Sequence, residues 1–282
     1  MPVEPTVVVL PAFEELSAAP IDGEVGPWES VYDFTHRYTI DGAPSPLRYD
    51  PCGVGVVPTG IGKVAAATTT AALCASEKVS LENCLILSVG IAGAPPQLPI
   101  GSVVVADSIV DWDDKCRFDP TEDNATPIET DPYTGDQGVF DLDTHRVSWA
   151  ESLSEDSQLT GLSGGPKPTV DIGTNVCADE LWHGQAVAEH VAEFVSKRQR
   201  EPYLVTEMED CGTVAALDRF GLADQYLSIR GVSNHDRPTS GKSGRESLLH
   251  TDSGASDKDS YTVGLENAVS VASTLVADEI TD

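Results

Sequence analysis

A length of 282 residues with 40% apolar side chains suits one large α/β domain or two small ones and argues against global disorder. Acidic residues number 46 against 17 Lys plus Arg, and the net charge of −29 disfavours binding to the phosphate backbone of nucleic acids. Because the acids are spread along the whole chain, the composition is typical of a salt-adapted, halophilic protein, with an ordinary acidic protein as the alternative.

The predicted elements alternate between short apolar strands and helices along the chain. One exception is the segment from Asp33 to Tyr49, which we expect to form a hairpin turned at Asp41-Gly42. The other predicted strands cover residues 6–10, 53–57, 84–89, 101–110, 169–177, 203–207 and 226–233. The predicted helices cover residues 63–77, 143–153, 179–197, 210–220 and 259–279.

This alternation, with several strands apolar on both faces, predicts an α/β fold whose mixed, largely parallel central sheet is flanked by helices on both sides. We expect residues 1–282 to form a single domain, since no linker or internal repeat divides them. Residues 111–141 are acidic and dense in Pro and Gly, which indicates a long excursion that is either a lid or a surface loop. Residues 234–256 are expected to form another loop.

Two glycine-rich segments follow predicted strands, where α/β sheets bind their ligands. Thr59 to Lys63 is a strand-to-helix turn whose backbone N–H groups and helix dipole could hold an anion, although tight turns also need glycine for structural reasons. Its spacing does not match a Walker loop. Gly90 to Gly93 either lets the backbone approach a ligand or allows close packing of a helix.

A third feature is the polar segment Thr206 to Asp210, which contains Glu207-Met208-Glu209. This segment directly follows an apolar strand and precedes an Ala-containing helix, so partial burial is expected although charge clusters are usually solvated. A carboxylate at this position could accept two hydrogen bonds from a vicinal diol such as the 2′- and 3′-hydroxyls of ribose.

The order of these segments resembles that of the nucleoside phosphorylase superfamily. Glu207-Met208-Glu209 followed by Gly212 is similar to its ribose-binding E-M-E-x-x-G segment. Val232-Ser233-Asn234-His235 is similar to its V-S-[DN]-H segment, in which the Asp or Asn meets purine N7. The two glycine-rich segments resemble its second Gly-rich turn and its G-x-x-G strand end.

The closer resemblance is to the purine nucleoside permease family, which shares five signatures with this chain. They are Gly60-Ile61-Gly62-Lys63, Gly90-Ile91-Ala92-Gly93, Asp179-Glu180-Leu181-Trp182-His183-Gly184, Thr206-Glu207-Met208-Glu209-Asp210 and Ser233-Asn234-His235-Asp236-Arg237-Pro238. The word permease describes uptake, yet a chain without a membrane-spanning segment cannot itself form a conduit through lipid.

The resemblance implies a purine nucleoside phosphorylase, a pentosyltransferase that reversibly converts a 6-oxopurine nucleoside, guanosine or inosine, to base and ribose 1-phosphate. Inorganic phosphate would be the co-substrate, and we expect no cofactor. The implied ribose-binding residues are Glu207, Met208 and Glu209. Phosphate could be held by the backbone N–H groups of Gly60 and Gly62 together with Lys63 and with Arg37 or Arg48, which stand out because basic residues are scarce. The implied base-binding residues are Ser233, Asn234, Val176 and Trp182, and the implied catalytic residues are Asn234, His235 and Asp236.

Departures from the superfamily pattern keep two alternatives open. Many members hold phosphate with an Arg before the G-x-x-G segment and a Ser or Thr inside it, whereas this chain has Ser88 and Ile91 at those positions. Glu14 and Glu15 resemble the nucleosidase branch, in which a Glu positions the attacking water. The chain could therefore be a nucleosidase that uses water. It could also be a soluble nucleoside-binding component of uptake, which would bind its ligand and release no base.

The expected partners and location follow from the same observations. Relatives assemble from dimers that share active-site residues, so the resemblance implies a homo-oligomer. The six cysteines have no C-x-x-C spacing, so we expect neither a metal site nor a disulfide framework. The sequence has neither a signal-peptide pattern nor a run of roughly 20 apolar residues, which predicts a cytoplasmic protein without a membrane span.

Overall fold

The computed structural model describes residues 1–16, 21–119, 128–135, 137–239, 241, 243–249 and 255–281. Its helices are α1 (Gly26–Glu29), α2 (Lys63–Cys74), α3 (Thr144–Ser154), α4 (Gln185–Lys197), α5 (Asp210–Arg219), α6 (Gly244–Leu249) and α7 (Ala255–Glu279). Its strands are β1 (Val7–Leu10), β2 (Glu15–Leu16), β3 (Ile21–Asp22), β4 (His36–Tyr38), β5 (Leu47–Asp50), β6 (Val54–Val56), β7 (Leu85–Ala94), β8 (Val103–Asp111), β9 (Lys115–Arg117), β10 (Ile128–Thr130), β11 (Val139–Asp141), β12 (Val170–Cys177), β13 (Tyr203–Glu207) and β14 (Tyr226–His235).

In the described part of the chain, ten strands join in one sheet. Nine of them are hydrogen-bonded in the order β11-β8-β12-β13-β7-β1-β6-β5-β4, and the tenth is β14. Strand β14 pairs with both β7 and β8, so β7, β14, β8, β12 and β13 close into a barrel-like ring. Five of the described pairings in this sheet are parallel, and five are antiparallel.

The prediction of a largely parallel sheet is therefore wrong, and the fold is a single α/β domain with a mixed sheet. The difference arises from the long strands, which pair with different neighbours on their two edges. In β14, Leu227 lies in parallel register with Leu87, whereas Ile229 also lies in antiparallel register with Val105. Register shifts in β12 and β14 accompany the closure, as bulges increase the twist and bend of a strand.

The core lies between this sheet and the helices on its two sides. All four residues of β1 are buried, as expected for a central strand covered on both faces. Helix α7 packs on β14 and β7, while α2 packs on α5. The α2–α5 contact requires Gly212, since a Cβ atom at that position would lie 2.1 Å from the carbonyl oxygen of Lys63.

Several predicted elements are confirmed, and two predicted loops contain regular structure. The hairpin at Asp41-Gly42 forms from antiparallel β4 and β5, with Gly42 at a φ of 93°. The acidic excursion at 111–141 contains the antiparallel pair β9 and β10 and the edge strand β11, and its residues 120–127 and 136 lie outside the described part. The loop predicted at 234–256 contains α6, with 240, 242 and 250–254 outside the described residues.

No helix among the described residues is both long enough and apolar enough to cross a lipid bilayer.

Candidate active site

The Glu207-Met208-Glu209 triplet lies at the junction of β13 and α5, as the sequence predicts. Glu207 Oε2 accepts hydrogen bonds from the backbone N–H groups of Glu209, at 2.7 Å, and Asp210, at 2.9 Å. These groups belong to the first turn of α5, where unpaired backbone donors and the helix dipole favour a carboxylate. Both glutamates are buried and Met208 is half-buried, so the triplet is not a solvated charge cluster.

A buried arginine on β14 lies at the centre of these carboxylates. Arg230 forms an ion pair with Asp210, and its Nη2 atom lies 3.0 Å from Glu207 Oε2 and 2.7 Å from Ser88 Oγ. Its Nη1 atom lies 3.8 Å from Glu209 Oε2. Since a buried ion requires compensation by opposite charge and hydrogen bonds, these contacts explain how a 2% exposed arginine is tolerated in an apolar strand.

A fourth carboxylate, Glu24, completes what we call the carboxylate cluster: Glu24, Glu207, Glu209 and Asp210. Glu24 Oε2 accepts a hydrogen bond of 2.7 Å from the backbone N–H of Ala12, and its Oε1 accepts one of 3.0 Å from that of Ile91. A Cβ atom on Gly90 would lie 2.4 Å from Glu24 Oε1. This glycine thus makes room for a side chain of the protein itself.

The acidic segment that resembles the nucleosidase branch lies elsewhere. Glu14 is exposed and forms an ion pair with Arg48, which also contacts Glu29 at 2.6 Å. The side chain of Glu15 lies outside the described part of the structure. Glu24 is therefore the glutamate that follows β1 and reaches the cluster.

Burial governs the ionisation of the cluster. It raises the pKa of Glu24, that of Glu207 to about 8 and that of Glu209 to about 7, because each carboxylate loses hydration. Burial also opposes ionisation of Asp210, but the adjacent Arg230 outweighs it and holds the pKa of Asp210 below its usual value. Around neutral pH the cluster therefore has one firmly ionised carboxylate and three with a raised affinity for protons.

The predicted anion-binding turn faces carboxylates of the same chain. The backbone N–H of Gly62 donates to Glu209 Oε1 at 3.0 Å, and that of Lys63 donates to Asp179 Oδ1 at 2.8 Å. The Lys63 ammonium lies 2.7 Å from Asp111 Oδ1 and 2.8 Å from Asp113 Oδ2. Burial lowers the pKa of Lys63, but these two carboxylates outweigh it and raise that pKa overall.

The other predicted phosphate-binding groups are likewise engaged or distant. The backbone N–H of Gly60 donates to the carbonyl oxygen of Ala12 at 2.8 Å. Arg37 is exposed on the edge strand β4, and three strands separate β4 from β7. The structure thus brings Gly62 to the cluster, pairs the adjacent Lys63 with Asp111, Asp113 and Asp179, and leaves Arg37 away from it.

Asn234 lines a cleft of about 380 Å³ whose other walls include Ile91, Ser233, Arg237 and Tyr261. Its Oδ1 atom accepts a hydrogen bond from Ser233 Oγ at 3.0 Å, and its Nδ2 atom donates to the carbonyl oxygen of His235 at 3.0 Å. The cleft adjoins the carboxylate cluster, because Ile91, which forms part of the cleft wall, donates its backbone N–H to Glu24.

The two residues after Asn234 take part in local contacts. A ring nitrogen of His235 lies 3.2 Å from the carbonyl oxygen of Leu98. Asp236 is buried and accepts hydrogen bonds from the Tyr203 hydroxyl at 2.6 Å and from Arg237 Nε at 2.6 Å and Nη2 at 3.0 Å. These hydrogen bonds hold the Asp236 carboxylate in place, and the Arg237 guanidinium compensates its charge.

The predicted base-binding residues Val176 and Trp182 belong to an apolar cluster beneath the excursion. Val176 is fully buried on β12, and Trp182 packs edge-on against Tyr203 at a ring-centroid distance of 6.5 Å. Tyr261 on α7 contributes an aromatic ring to the Asn234 cleft, although the sequence did not associate this helix with the site.

Solved structures share this fold across nearly their whole length. They include the Streptococcus pneumoniae MTA/SAH nucleosidase in complex with 8-aminoadenine (18% identity, 96% of this chain and 98% of that chain covered, TM-score 0.65). They also include the 5′-methylthioadenosine/S-adenosylhomocysteine nucleosidase of Colwellia psychrerythraea 34H in complex with adenine (18%, 98% and 96%, 0.65) and the futalosine hydrolase of Helicobacter pylori strain 26695 (17%, 99% and 97%, 0.64). At these identities the similarity defines a nucleosidase-type fold.

The sequence profile of the purine nucleoside permease family matches residues 4–282, and the chain belongs to this family. The resemblance based on the five signatures is thereby confirmed. A search of curated proteins gave no significant match.

Proposed function

We propose that this protein is a purine nucleosidase that hydrolyses the N-glycosidic bond with water, rather than a phosphorylase. The observation that carries the proposal is the pairing of cations at the site. Arg230 within the cluster and Lys63 at the adjoining glycine-rich turn are both paired with carboxylates. The backbone N–H groups of Gly62 and Lys63 are also bonded to carboxylates.

Electrostatics favours water over phosphate in such a site. A phosphate group carries a charge of about −1.5 to −2 near neutral pH. Two like unit charges about 4 Å apart repel each other by about 4 kcal/mol at an effective dielectric constant of about 20. Phosphate would lie beside Asp210, which is ionised, and Glu209, which is partly ionised near neutral pH, and would meet this repulsion without an unpaired cation. Water is neutral and avoids it. The fold neighbours, two nucleosidases and a hydrolase, add support to this choice.

In the proposed reaction, Glu209 binds the ribose hydroxyls and Glu24 acts as the general base. The bond between the base and C1′ breaks, and its electron pair leaves with the base. Water attacks C1′ while Glu24 accepts one of its protons, so the sugar product is ribose. Asn234 donates from Nδ2 to N7 of the departing base, which stabilises its negative charge until it takes up a proton from solvent.

Two glutamate variants test the assignment of the base. We expect Glu24→Gln to lower the rate of base release by about 10²–10⁴, because a carboxamide cannot accept the proton. Glu14→Gln is the matched control and should retain the rate, since Glu14 is exposed and pairs with Arg48. Release of hypoxanthine from inosine in phosphate-free, high-salt buffer is measured by chromatography. An active Glu24→Gln variant, or a wild type that releases no base, would contradict the proposal.

A further inference from the structure

The orientation of the Asn234 carboxamide determines what it can offer to a purine. A free carboxamide presents one donor and one acceptor and can therefore pair with adenine or, after a flip, with a 6-oxopurine. Here the acceptor Oδ1 is bonded to Ser233 Oγ, and one Nδ2 hydrogen is directed to the carbonyl oxygen of His235. The second Nδ2 hydrogen remains to donate to a ligand, while Oδ1 accepts one bond from Ser233 and keeps a second lone pair. Asn234 can therefore donate to N7 of a purine but does not by itself exclude an amino group.

Arg237 lines the same cleft and, unlike Asn234, can only donate hydrogen bonds. Its guanidinium is held by Asp236 through Nε and Nη2 and by the Tyr203 hydroxyl through Nη2. No hydrogen bond to a described residue engages Nη1. The aspartate and tyrosine thus fix the plane of the guanidinium and leave one edge for a ligand, and an arginine has no acceptor with which to receive an amino group.

Two donors in one cleft match the edge of a purine that carries two acceptors. The N7 and O6 atoms of guanine and hypoxanthine are both acceptors, whereas adenine presents the N7 acceptor beside the N6 amino donor. We propose that Arg237 is a specificity-determining residue that, with Asn234, selects 6-oxopurines over 6-aminopurines. This inference rests on the proposed function only for its placement of the base at Asn234.

Binding of 9-methylated bases tests this selection without any turnover. 9-Methylhypoxanthine, 9-methyladenine and 9-methylpurine keep N7 as an acceptor, differ at C6 and have no sugar to be cleaved. By calorimetry in high salt, we expect the wild type to bind 9-methylhypoxanthine about tenfold to a hundredfold more tightly than 9-methylpurine, and 9-methyladenine no more tightly than 9-methylpurine.

The variant Arg237→Lys keeps a cation beside the buried Asp236 but removes the planar fork. It should reduce the preference for 9-methylhypoxanthine over 9-methylpurine to about threefold or less, with binding of 9-methyladenine unchanged. The control Arg219→Lys, at an exposed position on α5, should keep the wild-type preference. Because the readout is a ratio between ligands, partial loss of folded protein does not alter it. The double variant Asp236→Asn/Arg237→Gln, which leaves no buried charge unpaired, should lose the preference as well.

The possible outcomes separate this inference from the proposed function. If the wild type prefers 9-methyladenine, binds none of the three bases, or keeps its preference in Arg237→Lys, the role of Arg237 is refuted even if the protein hydrolyses nucleosides. If Arg237→Lys abolishes a 6-oxo preference but the wild type cleaves no nucleoside without phosphate, the role of Arg237 stands and the hydrolytic function fails.

Discussion

Replacing Arg230 with methionine probes the energetics of the carboxylate cluster. The change removes the buried cation and keeps a side chain of similar length, so Glu207, Glu209 and Asp210 lose their shared partner. Removing one partner of a buried ion pair costs about 3–5 kcal/mol. We expect a loss of this size at pH about 5, where Asp210 is ionised and the two glutamates, whose pKa values are raised, hold protons.

The loss should be larger at pH about 8. The pKa values of Glu207 and Glu209 in the folded protein lie above the value of 4.5 for the unfolded chain. The stability that these groups contribute is therefore fully present below pH 4.5 and is lost as the pH rises through about 7 to 8. Without Arg230 these pKa values rise further. Each additional unit adds up to about 1.4 kcal/mol, in full only at a pH above the raised value, so at pH about 8 the increase comes mainly from Glu209.

Urea denaturation at constant high salt, at both pH values, measures these free energies of unfolding. The control Arg219→Met removes a cation from the exposed last turn of α5 and should change stability by no more than about 0.5 kcal/mol. A loss below about 1 kcal/mol for Arg230→Met, or a loss that does not grow with pH, would refute the account of the cluster.

Three further predictions concern pH, packing and salt. The acid limb of the pH profile of kcat/KM should lie above pH 4.5, because burial raises the pKa of Glu24 and the general base must be ionised to act. An acid limb at or below pH 4.5, the ordinary pKa of a glutamate, would exclude Glu24 as the base. Gly212→Ala should lower the free energy of unfolding in urea by about 1–3 kcal/mol, because its Cβ would meet the backbone of Lys63; an unchanged stability would show that α2 and α5 can separate freely. The Tm should rise as KCl increases from low to molar concentration, because salt screens a net charge of −29; a Tm independent of salt would argue against salt adaptation.

The sequence was sufficient to predict the elements that carry the candidate site. Apolar runs ending in polar residues placed Glu207 and Glu209 at a strand-to-helix junction, and the structure has β13 and α5 there. Glycine-rich spacing likewise located the start of α2. These features depend on local patterns of a few residues, which is why they are readable without tertiary information.

The partners of these residues could not be predicted, since they are distant in sequence. Arg230 is the exception that the sequence signals, because a lone charge between Ile229 and Val232 in an apolar strand requires a buried counterion. Glu24 gave no such signal within a turn-rich segment. The antiparallel closure of the ring by β8 and β14 was also hidden, because alternation of strands and helices does not show that a long strand pairs on both edges.

The dependence of base release on phosphate tests the central claim most directly. Inosine is incubated with the wild-type protein in high salt, with phosphate removed and then restored, and both the base and the sugar product are quantified. Hydrolysis predicts the same rate of hypoxanthine release in both conditions, with free ribose as the sugar product. Release that requires phosphate and yields ribose 1-phosphate would contradict the account and show that phosphate binds despite the paired state of Lys63 and Arg230.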